Sequence, residues 1–280
     1  MQERTVAKLI YAAEHEMGPL KVRQPLPSEW LTSFDPFVLL HHAPPRTTDG
    51  THAVGAHPHR GFSPVSFVFE GAIRHRDSRG HDSTISAGGT QWMHAGSGIL
   101  HEETLLAGRF ELIQLWINSP AAHKGDAPSY YPLTRNDTPR VVTDDGRVTV
   151  NVIAGSVLGV SGPIPSLTPV NAATIEARKG GRLFIPLPPG HNAFLYLLDG
   201  SLNVGSGAAA ALHLVAFKGD GDGILIDAAE DTRALLMSGE PIGEPIVSYG
   251  PFVMNTDDEI RQAIHDYRSG AMGTVEPALA

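Results

Sequence analysis

Hydrophobic and polar residues alternate over short runs along the chain, and glycine-containing turns separate these runs. The run Val65–Phe69 ends at the turn Glu70–Gly71, and Ala72–Arg76 follows as its predicted hairpin partner. Short strands at this spacing, with glycine at the turns, are typical of a sandwich or a barrel. The pattern therefore predicts an all-β fold. Further predicted strands are Ser83–Ser86, Thr90–His94, Phe110–Asn118, Val141–Val142 and Arg147–Ile153, with a second β region from residue 174 to about residue 248.

A helical pattern occurs near the C-terminus. Thr256 or Asp257 can cap a helix there, and Gly270 ends the apolar spacing. The pattern predicts one short helix at about residues 257–269. Its predicted apolar face consists of Ile260, Ile264 and Tyr267.

Two features divide the chain into two parts. The segment Ser119–Pro139 holds four prolines and no periodicity, which is typical of a linker. The sequence Phe67–Gly71 also resembles Tyr196–Gly200 at an offset of 129 residues, a weak internal repeat. We therefore expect an N-terminal domain at residues 1–135 and a C-terminal domain, ending in the helix, at residues 136–280.

Composition and charge exclude several classes of protein. The 280 residues include 21 basic and 30 acidic side chains, a formal net charge of −9, so we expect no direct binding to nucleic acid. No run approaches the roughly 18 apolar residues of a membrane span. The charged N-terminal stretch lacks the apolar core of a secretory signal. We expect a cytoplasmic protein, monomeric by default, with no membrane partner.

Histidine is unusually frequent in one part of the chain, and cysteine is absent. Nine of the 14 histidines lie between His41 and His101. Without thiolates, imidazole and carboxylate are the metal ligands that this chain can offer. The distribution of histidine thus directs attention to metal chemistry in the first half of the chain.

Four of these residues have the spacing of a metal site. His57 and His59 flank a proline, and on a strand both imidazoles would point to the same face. His101 and Glu103 form a second such pair, whereas Glu102 faces the other way. If the two strands are neighbours, three nitrogens and one carboxylate converge. Such a set suits Fe(II), Mn(II), Ni(II), Cu(II) or Zn(II), and open positions on the ion would admit a substrate or O2.

The other histidines of this region lack a partner at that spacing, and we interpret them as surface or packing residues. We expect His94 to line a cavity, and Trp92 and Met93 to lie in the core. The sequence contains no nucleophile elbow, phosphate-binding loop, dinucleotide fingerprint or H-E-x-x-H motif. The histidines so interpreted are His41, His42, His52, His75, His81 and His94.

Several motifs, taken in order, resemble the pirin family. The similarity extends from about Val38 to Tyr267, and the density of the motifs makes it specific. The motifs are His57–Phe62 (HPHRGF), Phe69–Gly71, His75–Ser78, Gln91–Met93, Gly98–Glu103 (GILHEE) and Gly250–Thr256 (GPFVMNT).

The resemblance implies a bicupin, in which two jelly-roll β-barrels lie face to face and a short C-terminal helix follows. It also implies one metal ion in the N-terminal domain, most often iron and here expected as Fe(II), with Ni, Mn, Cu, Co or Zn as alternatives. The ligands that the resemblance implies are His57, His59, His101 and Glu103.

Two departures from the cupin pattern follow from this resemblance. The commoner cupin site has a glutamate about four residues after H-x-H, where this chain has Ser63. In the C-terminal domain the positions that match the ligands offer only His191, together with Glu230 and Thr232. We therefore expect no metal in that domain.

The resemblance implies two alternative functions. One is a quercetin 2,3-dioxygenase-type enzyme, which opens the ring of a flavonol or related phenol with O2 and releases CO. Glu103 would then act as the general base, after loosening from the metal. The other is a non-enzymatic iron-binding redox sensor, a transcriptional co-regulator that acts through a protein partner. A plain metal-binding cupin is a third reading, and the sequence favours the enzyme.

Overall fold

A computed structural model describes residues 1–17, 20–50, 53–205 and 207–275. His52 therefore lies outside the described residues. Strands make up 59% of the chain and one short helix follows them, which confirms the predicted all-β class. In the described part, no helix is both long enough and apolar enough to cross a membrane.

The strands are numbered in chain order. The first twelve are β1 (Val6–Tyr11), β2 (Ala13–Met17), β3 (Leu20–Leu26), β4 (Phe37–Thr48), β5 (Ala53–His59), β6 (Phe62–Glu70), β7 (Ala72–Asp77), β8 (Asp82–Ser86), β9 (Thr90–His94), β10 (Ile99–Leu105), β11 (Gly108–Asn118) and β12 (Ser129–Leu133). The next are β13 (Arg140–Val142), β14 (Val148–Ala154), β15 (Ser156–Val157), β16 (Val160–Ser161), β17 (Val170–Ala177), β18 (Arg182–Pro186), β19 (Asn192–Asp199), β20 (Ser201–Val204), β21 (Gly207–Ala210), β22 (His213–Phe217), β23 (Gly223–Asp227), β24 (Thr232–Gly239), β25 (Val247–Tyr249) and β26 (Phe252–Met254), before α1 (Asp257–Arg268).

The chain forms two compact units, neither of which is continuous in sequence. Unit 1 consists of Met1–Pro36 and Asn136–Pro241, and unit 2 of Phe37–Arg135 and Ile242–Ala280. The sequence pattern predicts a single boundary, between residues 135 and 136. One observed boundary falls there. However, Met1–Pro36 belongs to the unit that contains the second half of the chain, and the segment from Ile242 onward belongs to the unit that contains the first half.

Strand pairing attaches the start of the N-terminal segment to unit 1. Strand β1 pairs antiparallel with β22, which is about 200 residues later in the chain. The buried Arg4 guanidinium donates hydrogen bonds of 2.7 Å each to the carbonyl oxygens of His191 and Pro188. Backbone and side chain together attach this segment to its unit.

The C-terminal segment is attached to unit 2 in a comparable way. Arg60 forms an ion pair of 2.6 Å with Asp266. The buried ammonium group of Lys124 donates to the carbonyl oxygens of Gly61 and Val253, at 2.9 and 2.8 Å. These contacts hold β26 and α1 against the strands of unit 2.

Unit 1 contains one large antiparallel sheet with the strand order β1-β22-β19-β24-β17-β14-β13. Strands β18 and β23 form a second, two-stranded sheet, and β15–β16 and β20–β21 are hairpins. A single aliphatic cluster fills its interior. Fully buried members include Val150, Leu195, Val215 and Leu236.

Unit 2 contains two sheets. Strands β12, β9, β6, β11 and β4 lie side by side in one, and β5, β10, β7 and β8 form the other, with antiparallel pairing between the neighbours. The apolar positions of β6 and β11 match in register, since Val65 pairs with Leu115 and Phe67 with Ile113. All four side chains are buried, as the alternating pattern predicts.

The segment predicted to be a linker contains regular structure. Strand β12 lies within it and pairs with β9, with Pro132 opposite Gln91. Proline is tolerated there because β12 is the edge strand of its sheet, where the missing N–H is not needed. The proline content thus marked an edge strand rather than a connection without structure.

The helix begins at the predicted position. Thr256 and Glu259 form a capping box, in which the Thr256 hydroxyl accepts from the Glu259 N–H. The buried residues of the helix are Ile260 and Ala263, whereas Tyr267 is 40% exposed. The predicted apolar face was therefore wrong at Tyr267, because the face turns toward Ala263.

Candidate metal centre

Three neighbouring strands of unit 2 carry the candidate ligands. Strand β10 lies between β5 and β7, and His101 pairs with His57 on one side and with Asp77 on the other. Glu103 pairs with His75 in the same ladder. Residues directly opposite each other in antiparallel strands point to the same face, so the register collects all five side chains on one side of the sheet.

A bulge in β5 lies beside the site. His57 pairs with His101, but the next pair is Val54 with Glu103, so β5 contains one residue more than β10 between the pairs. The extra residue changes the direction of the strand at this point, as bulges near functional sites do. The carbonyl oxygen of Gly55 thereby lies 2.8 Å from Nδ1 of His57.

Three imidazole nitrogens converge on this face. Nε2 of His57 lies 3.1 Å from Nε2 of His59 and 3.1 Å from Nε2 of His101. Two nitrogens bound to one ion at 2.0–2.1 Å are about 3.0 Å apart at right angles and about 3.4 Å apart at the tetrahedral angle. The observed separations therefore fit ligation of a single transition-metal ion.

Two of the candidate ligands have an acceptor for the opposite ring nitrogen. Nδ1–H of His57 donates to the Gly55 carbonyl at 2.8 Å, and Nδ1–H of His59 donates to the Pro251 carbonyl at 3.4 Å. A neutral imidazole that carries its proton on Nδ1 has its lone pair on Nε2. Both rings therefore direct a lone pair into the cluster, which is the donor chemistry that a metal ion requires.

Burial keeps the His59 and His101 rings neutral. Burial and the neighbouring His57 lower the pKa of His59 to about 3. Burial, followed by the proximity of His59, His57 and His75, lowers the pKa of His101 well below the ordinary value. At neutral pH both rings are unprotonated and available as ligands without loss of a proton.

Glu103 lies at the edge of the nitrogen cluster. One oxygen of its carboxylate and one ring nitrogen each of His75 and His101 lie within 4.8 Å of one another. His57, His59 and His101 form a second such group, so His101 belongs to both. Ser66 and Gln114 donate to the carboxylate at 3.3 and 3.1 Å. Gln91 also donates to it.

The surroundings of Glu103 act on its carboxyl group in opposite directions. Burial raises the pKa of Glu103, and the proximity of His75 and His57, together with hydrogen bonds from Ser66 and Gln114, offsets this only in part. Glu102, the alternative acid, instead forms an ion pair of 3.0 Å with Arg76. The structure therefore places Glu103, and not Glu102, beside the histidines.

Two buried residues of this site were missed by the sequence reasoning. His75 is 1% exposed, and its ring stacks on Tyr130 with centroids 4.1 Å apart. Nδ1 of His75 lies 3.4 Å from Nδ1 of His101, and Nε2 lies 3.1 Å from the Asp77 carboxylate. His75 and Asp77 have the same i, i+2 spacing as the two ligand pairs, and that signal could have identified them.

Asp77 is held in its ionised form. Burial opposes ionisation, but hydrogen bonds from His75, from the His81 ring and from two backbone N–H groups bring the pKa of Asp77 to about 2. The His81 ring donates through Nδ1 at 2.8 Å. Asp77 is therefore a permanent acceptor on the face of the sheet that carries the ligands.

The remaining histidines of the region lie in other surroundings. His42 is buried and lies 3.2 Å from the Glu111 carboxylate. His94 is also buried, and its Nδ1 lies 2.7 Å from the hydroxyl of Ser63, the residue at the usual cupin glutamate position. His41 is half-buried on β4. Each of these rings belongs to a sheet other than that of β5, β10 and β7.

The corresponding positions of unit 1 have other contacts. Nδ1 of His191 lies 3.3 Å from the Ser238 hydroxyl. The Thr232 hydroxyl bonds to the carbonyl oxygens of Ser201 and Glu230, at 3.1 and 2.9 Å. Among the described residues, both groups of possible ligands lie in unit 2.

Comparisons with known proteins match both halves of the chain to one family. The family model described as "Pirin" matches residues 19–117, and the model described as "Pirin C-terminal cupin domain" matches residues 172–273. The chain is 36% identical to pirin of Mus musculus over 260 residues, which cover 90% of this chain and 88% of that protein. The two matches give the chain two cupin-type domains.

Solved structures show the same architecture. A quercetin 2,3-dioxygenase from Acinetobacter baumannii is 32% identical, covers 98% of this chain over its full length, and superposes with a TM-score of 0.91. A bacterial pirin from Escherichia coli, solved in complex with nickel(II), is 19% identical, covers 84% of this chain and 99% of its own, and gives a TM-score of 0.69. The second match concerns the fold alone.

Proposed function

Because the chain belongs to the pirin family, we propose that it binds one transition-metal ion in unit 2 and oxidises a flavonol or related phenol with O2. The observation that carries this proposal is the convergence of three imidazole nitrogens, one each from His57, His59 and His101, within 4.8 Å of one another. The similarity to a quercetin 2,3-dioxygenase over 98% of the chain supports the choice of substrate class.

The proposed ligands are His57, His59 and His101 through Nε2, and Glu103 through a carboxylate oxygen. Three imidazoles and a carboxylate suit Fe(II), which is the proposed ion, and also Ni(II), Mn(II), Cu(II), Co(II) and Zn(II). Such an ion, when bound, supplies Lewis acidity toward a substrate hydroxyl and a position for O2.

Glu103 is the proposed general base. The carboxylate lies beside the nitrogen cluster, and after loosening from the ion it would take up the proton of a substrate hydroxyl. The carboxylate accepts hydrogen bonds from the side chains of Ser66, Gln91 and Gln114, which fix its orientation. A substrate hydroxyl that approaches the histidines would thus find a proton acceptor with a fixed orientation.

Aromatic residues limit the access of water to one side of the site. The Phe62 and Trp116 rings lie 5.0 and 5.4 Å from the His59 ring, centroid to centroid. Phe62 is fully buried. An apolar wall of this kind strengthens the electrostatic interactions beside it and favours the rings of a planar phenol over water.

The first test is oxygen consumption with detection of CO. Protein reconstituted with Fe(II) is mixed with quercetin, beside the variants His57→Ala and His191→Ala. We expect turnover by the unmodified protein and by His191→Ala, because His191 is bonded to Ser238 in unit 1. We expect none by His57→Ala, which loses a ligand.

The opposite result is equally informative. One bound ion per chain without turnover of quercetin or other phenols would contradict the enzymatic proposal. It would move the assignment to the redox sensor that acts through a protein partner. Turnover retained by His57→Ala would show that the reaction does not use this site.

A further inference from the structure

His101 has contacts through both ring nitrogens. Its Nε2 lies 3.1 Å from Nε2 of His57, inside the candidate metal site. Its Nδ1 lies 3.4 Å from Nδ1 of His75. Unlike His57 and His59, whose Nδ1 atoms face carbonyl oxygens, His101 faces another imidazole, which can either donate or accept.

The tautomer of His75 decides whether its Nδ1 donates to His101 or accepts from it. Nε2 of His75 lies 3.1 Å from the Asp77 carboxylate, which can only accept when ionised. The same carboxylate accepts from the His81 ring and from the backbone N–H groups of Arg79 and His81. Nε2 of His75 therefore carries a proton, and a neutral His75 ring has its lone pair on Nδ1.

We propose that Asp77 and His75 form a hydrogen-bond chain that fixes His101 as the Nδ1–H tautomer and so directs its Nε2 lone pair to the metal ion. In this chain the His101 Nδ1–H donates to Nδ1 of His75, and the His75 Nε2–H donates to Asp77. Both are positioning residues that act through His101. The inference rests on the metal-binding part of the proposed function and is independent of phenol oxidation.

Packing holds the chain in place. The His75 ring is 1% exposed and stacks on Tyr130 with an angle of 5° between the ring planes. The Tyr130 hydroxyl lies 2.7 Å from the Ser83 hydroxyl on β8. Since the site is buried, water has little room to replace His75, and loss of its acceptor nitrogen would leave the His101 N–H without a partner.

An alternative use of the same residues is a second ion. His75, His101 and Glu103 lie close enough to share one. His101 would then have to lose its Nδ1 proton and bridge two ions. His75 would bind the second ion through Nδ1, the nitrogen that faces His101. The hydrogen-bond chain needs no such deprotonation.

The first experiment compares two substitutions of His75 by competition titration of Ni(II) against a chelator. His75→Phe keeps a ring on Tyr130 but has no acceptor. His75→Asn loses the ring but places an amide oxygen near the position of Nδ1. We expect His75→Phe to weaken Ni(II) binding about 10–100-fold, the usual effect of losing a residue that orients a metal-bound histidine, and His75→Asn to weaken it less. A role in packing alone predicts the reverse order.

The second substitution tests the acidic end of the chain without a change in size. In Asp77→Asn, the amide oxygen would still accept from the two backbone N–H groups, which turns the NH2 group toward His75. The His75 proton would move to Nδ1 and oppose the His101 N–H. We expect a loss of affinity similar to that of His75→Phe. His81→Ala is the control, because His81 bonds to Asp77 but is not part of the chain, and we expect less than about a threefold change, well under the 10–100-fold range.

The tautomer itself can be observed in the Co(II)-loaded protein. Each histidine bound through Nε2 contributes one exchangeable, paramagnetically shifted Nδ1–H signal in the proton NMR spectrum. We expect three such signals, for His57, His59 and His101, and the selective loss or broadening of one in His75→Phe. Unchanged signals together with unchanged affinity in both His75→Phe and Asp77→Asn would overturn the inference.

The outcomes also separate this inference from the proposed function. If the unmodified protein binds no Ni(II) or Co(II), the metal-binding proposal fails first. If it binds one ion and the variants behave like the unmodified protein, only the hydrogen-bond chain is refuted. Two ions per chain, falling to one in His75→Phe, would show that His75 is itself a ligand and would also overturn the chain.

Discussion

The two units bury the inner faces of their sheets with different side chains. In unit 1 the cluster is aliphatic, and Val150, Leu195, Val215 and Leu236 are fully buried. In unit 2 the face formed by β5, β10 and β7 carries imidazoles and carboxylates. Those residues are His57, His59, His75, Asp77, His101 and Glu103.

The difference shows how similar β-strands serve two purposes. An aliphatic side chain gains about 1.5–3 kcal/mol from leaving water, whereas a buried polar group costs free energy unless it is hydrogen-bonded. Unit 2 offsets that cost with local partners, since Glu103 accepts from three side chains and Asp77 from two rings and two backbone N–H groups. Unit 2 thus combines apolar clusters with a polar face suited to binding, whereas the interior cluster of unit 1 is aliphatic.

The largest expected effect of a substitution comes from the metal ligands. His101→Ala removes the central ligand and the end of the hydrogen-bond chain, so we expect metal affinity to fall by more than about 100-fold, beyond the range for residues that only orient ligands. His191→Ala in unit 1 should leave the bound metal unchanged. Metal content after dialysis against a chelator checks both.

A result in which His191→Ala lowers the metal content as much as His101→Ala would remove the contrast between the units. Circular dichroism serves as the control for folding in each case. The β-sheets of unit 2 are stabilised by their ladders and apolar clusters, so the fold should persist without the ion.

The sequence singles out these candidate ligands because their signal is local. His57 with His59, and His101 with Glu103, are each two residues apart, and strand geometry alone places each pair on one face. The pirin resemblance and the all-β class, both confirmed, likewise rest on motifs and alternation that can be read along the chain.

The remaining features depend on which strands become neighbours. His75 reaches His101 only because β7 pairs with β10, and Glu103 is held by Gln91 and Gln114 from the other sheet of unit 2. Unit 1 is discontinuous in sequence because β1 pairs with β22. The spacing of His75 and Asp77 could mark them as candidates, but contacts of such sequence separation leave no local periodicity, so one sequence could not reveal which residues they touch.

The second prediction concerns the aliphatic interior. Leu195→Ala in unit 1 should lower the free energy of unfolding by about 2–5 kcal/mol, because the side chain is fully buried and leaves a cavity. Leu9→Ala is the matched control in the same unit, since Leu9 is 46% exposed. Urea unfolding measures both, and equal losses would contradict the assignment of the interior. Metal affinity should be unchanged in either variant.

The third prediction concerns the buried lysine of unit 2. Lys124 donates to the carbonyl oxygens of Gly61 and Val253 and to the Asn118 side chain, at 2.9, 2.8 and 2.7 Å. Lys124→Met keeps the length of the chain but leaves these acceptors unpaired, so we expect a loss of about 1–3 kcal/mol in urea unfolding. A stabilised variant would mean that burial of the ammonium group outweighs its three hydrogen bonds.

The smallest effect is expected from the ion pair between Arg60, the residue after His59, and Asp266 on α1. The pair is 2.6 Å long and partly exposed, so Arg60→Gln should cost at most about 1 kcal/mol at neutral pH. Hydrogen bonds from Arg60 and then Gln262 lower the pKa of Asp266. A lowered carboxyl pKa stabilises the fold above the pKa of the unfolded chain, and this stabilisation disappears as the pH falls through the folded value. The difference in the free energy of unfolding between the unmodified protein and Arg60→Gln should therefore vanish in acid.

The control is Arg261→Gln, which breaks the more exposed pair with Asp258 on the same helix and should cost less at every pH. If Arg60→Gln also weakens Ni(II) binding and Arg261→Gln does not, α1 contributes to the position of His59, and the binding face of unit 2 extends beyond the three strands that carry its ligands.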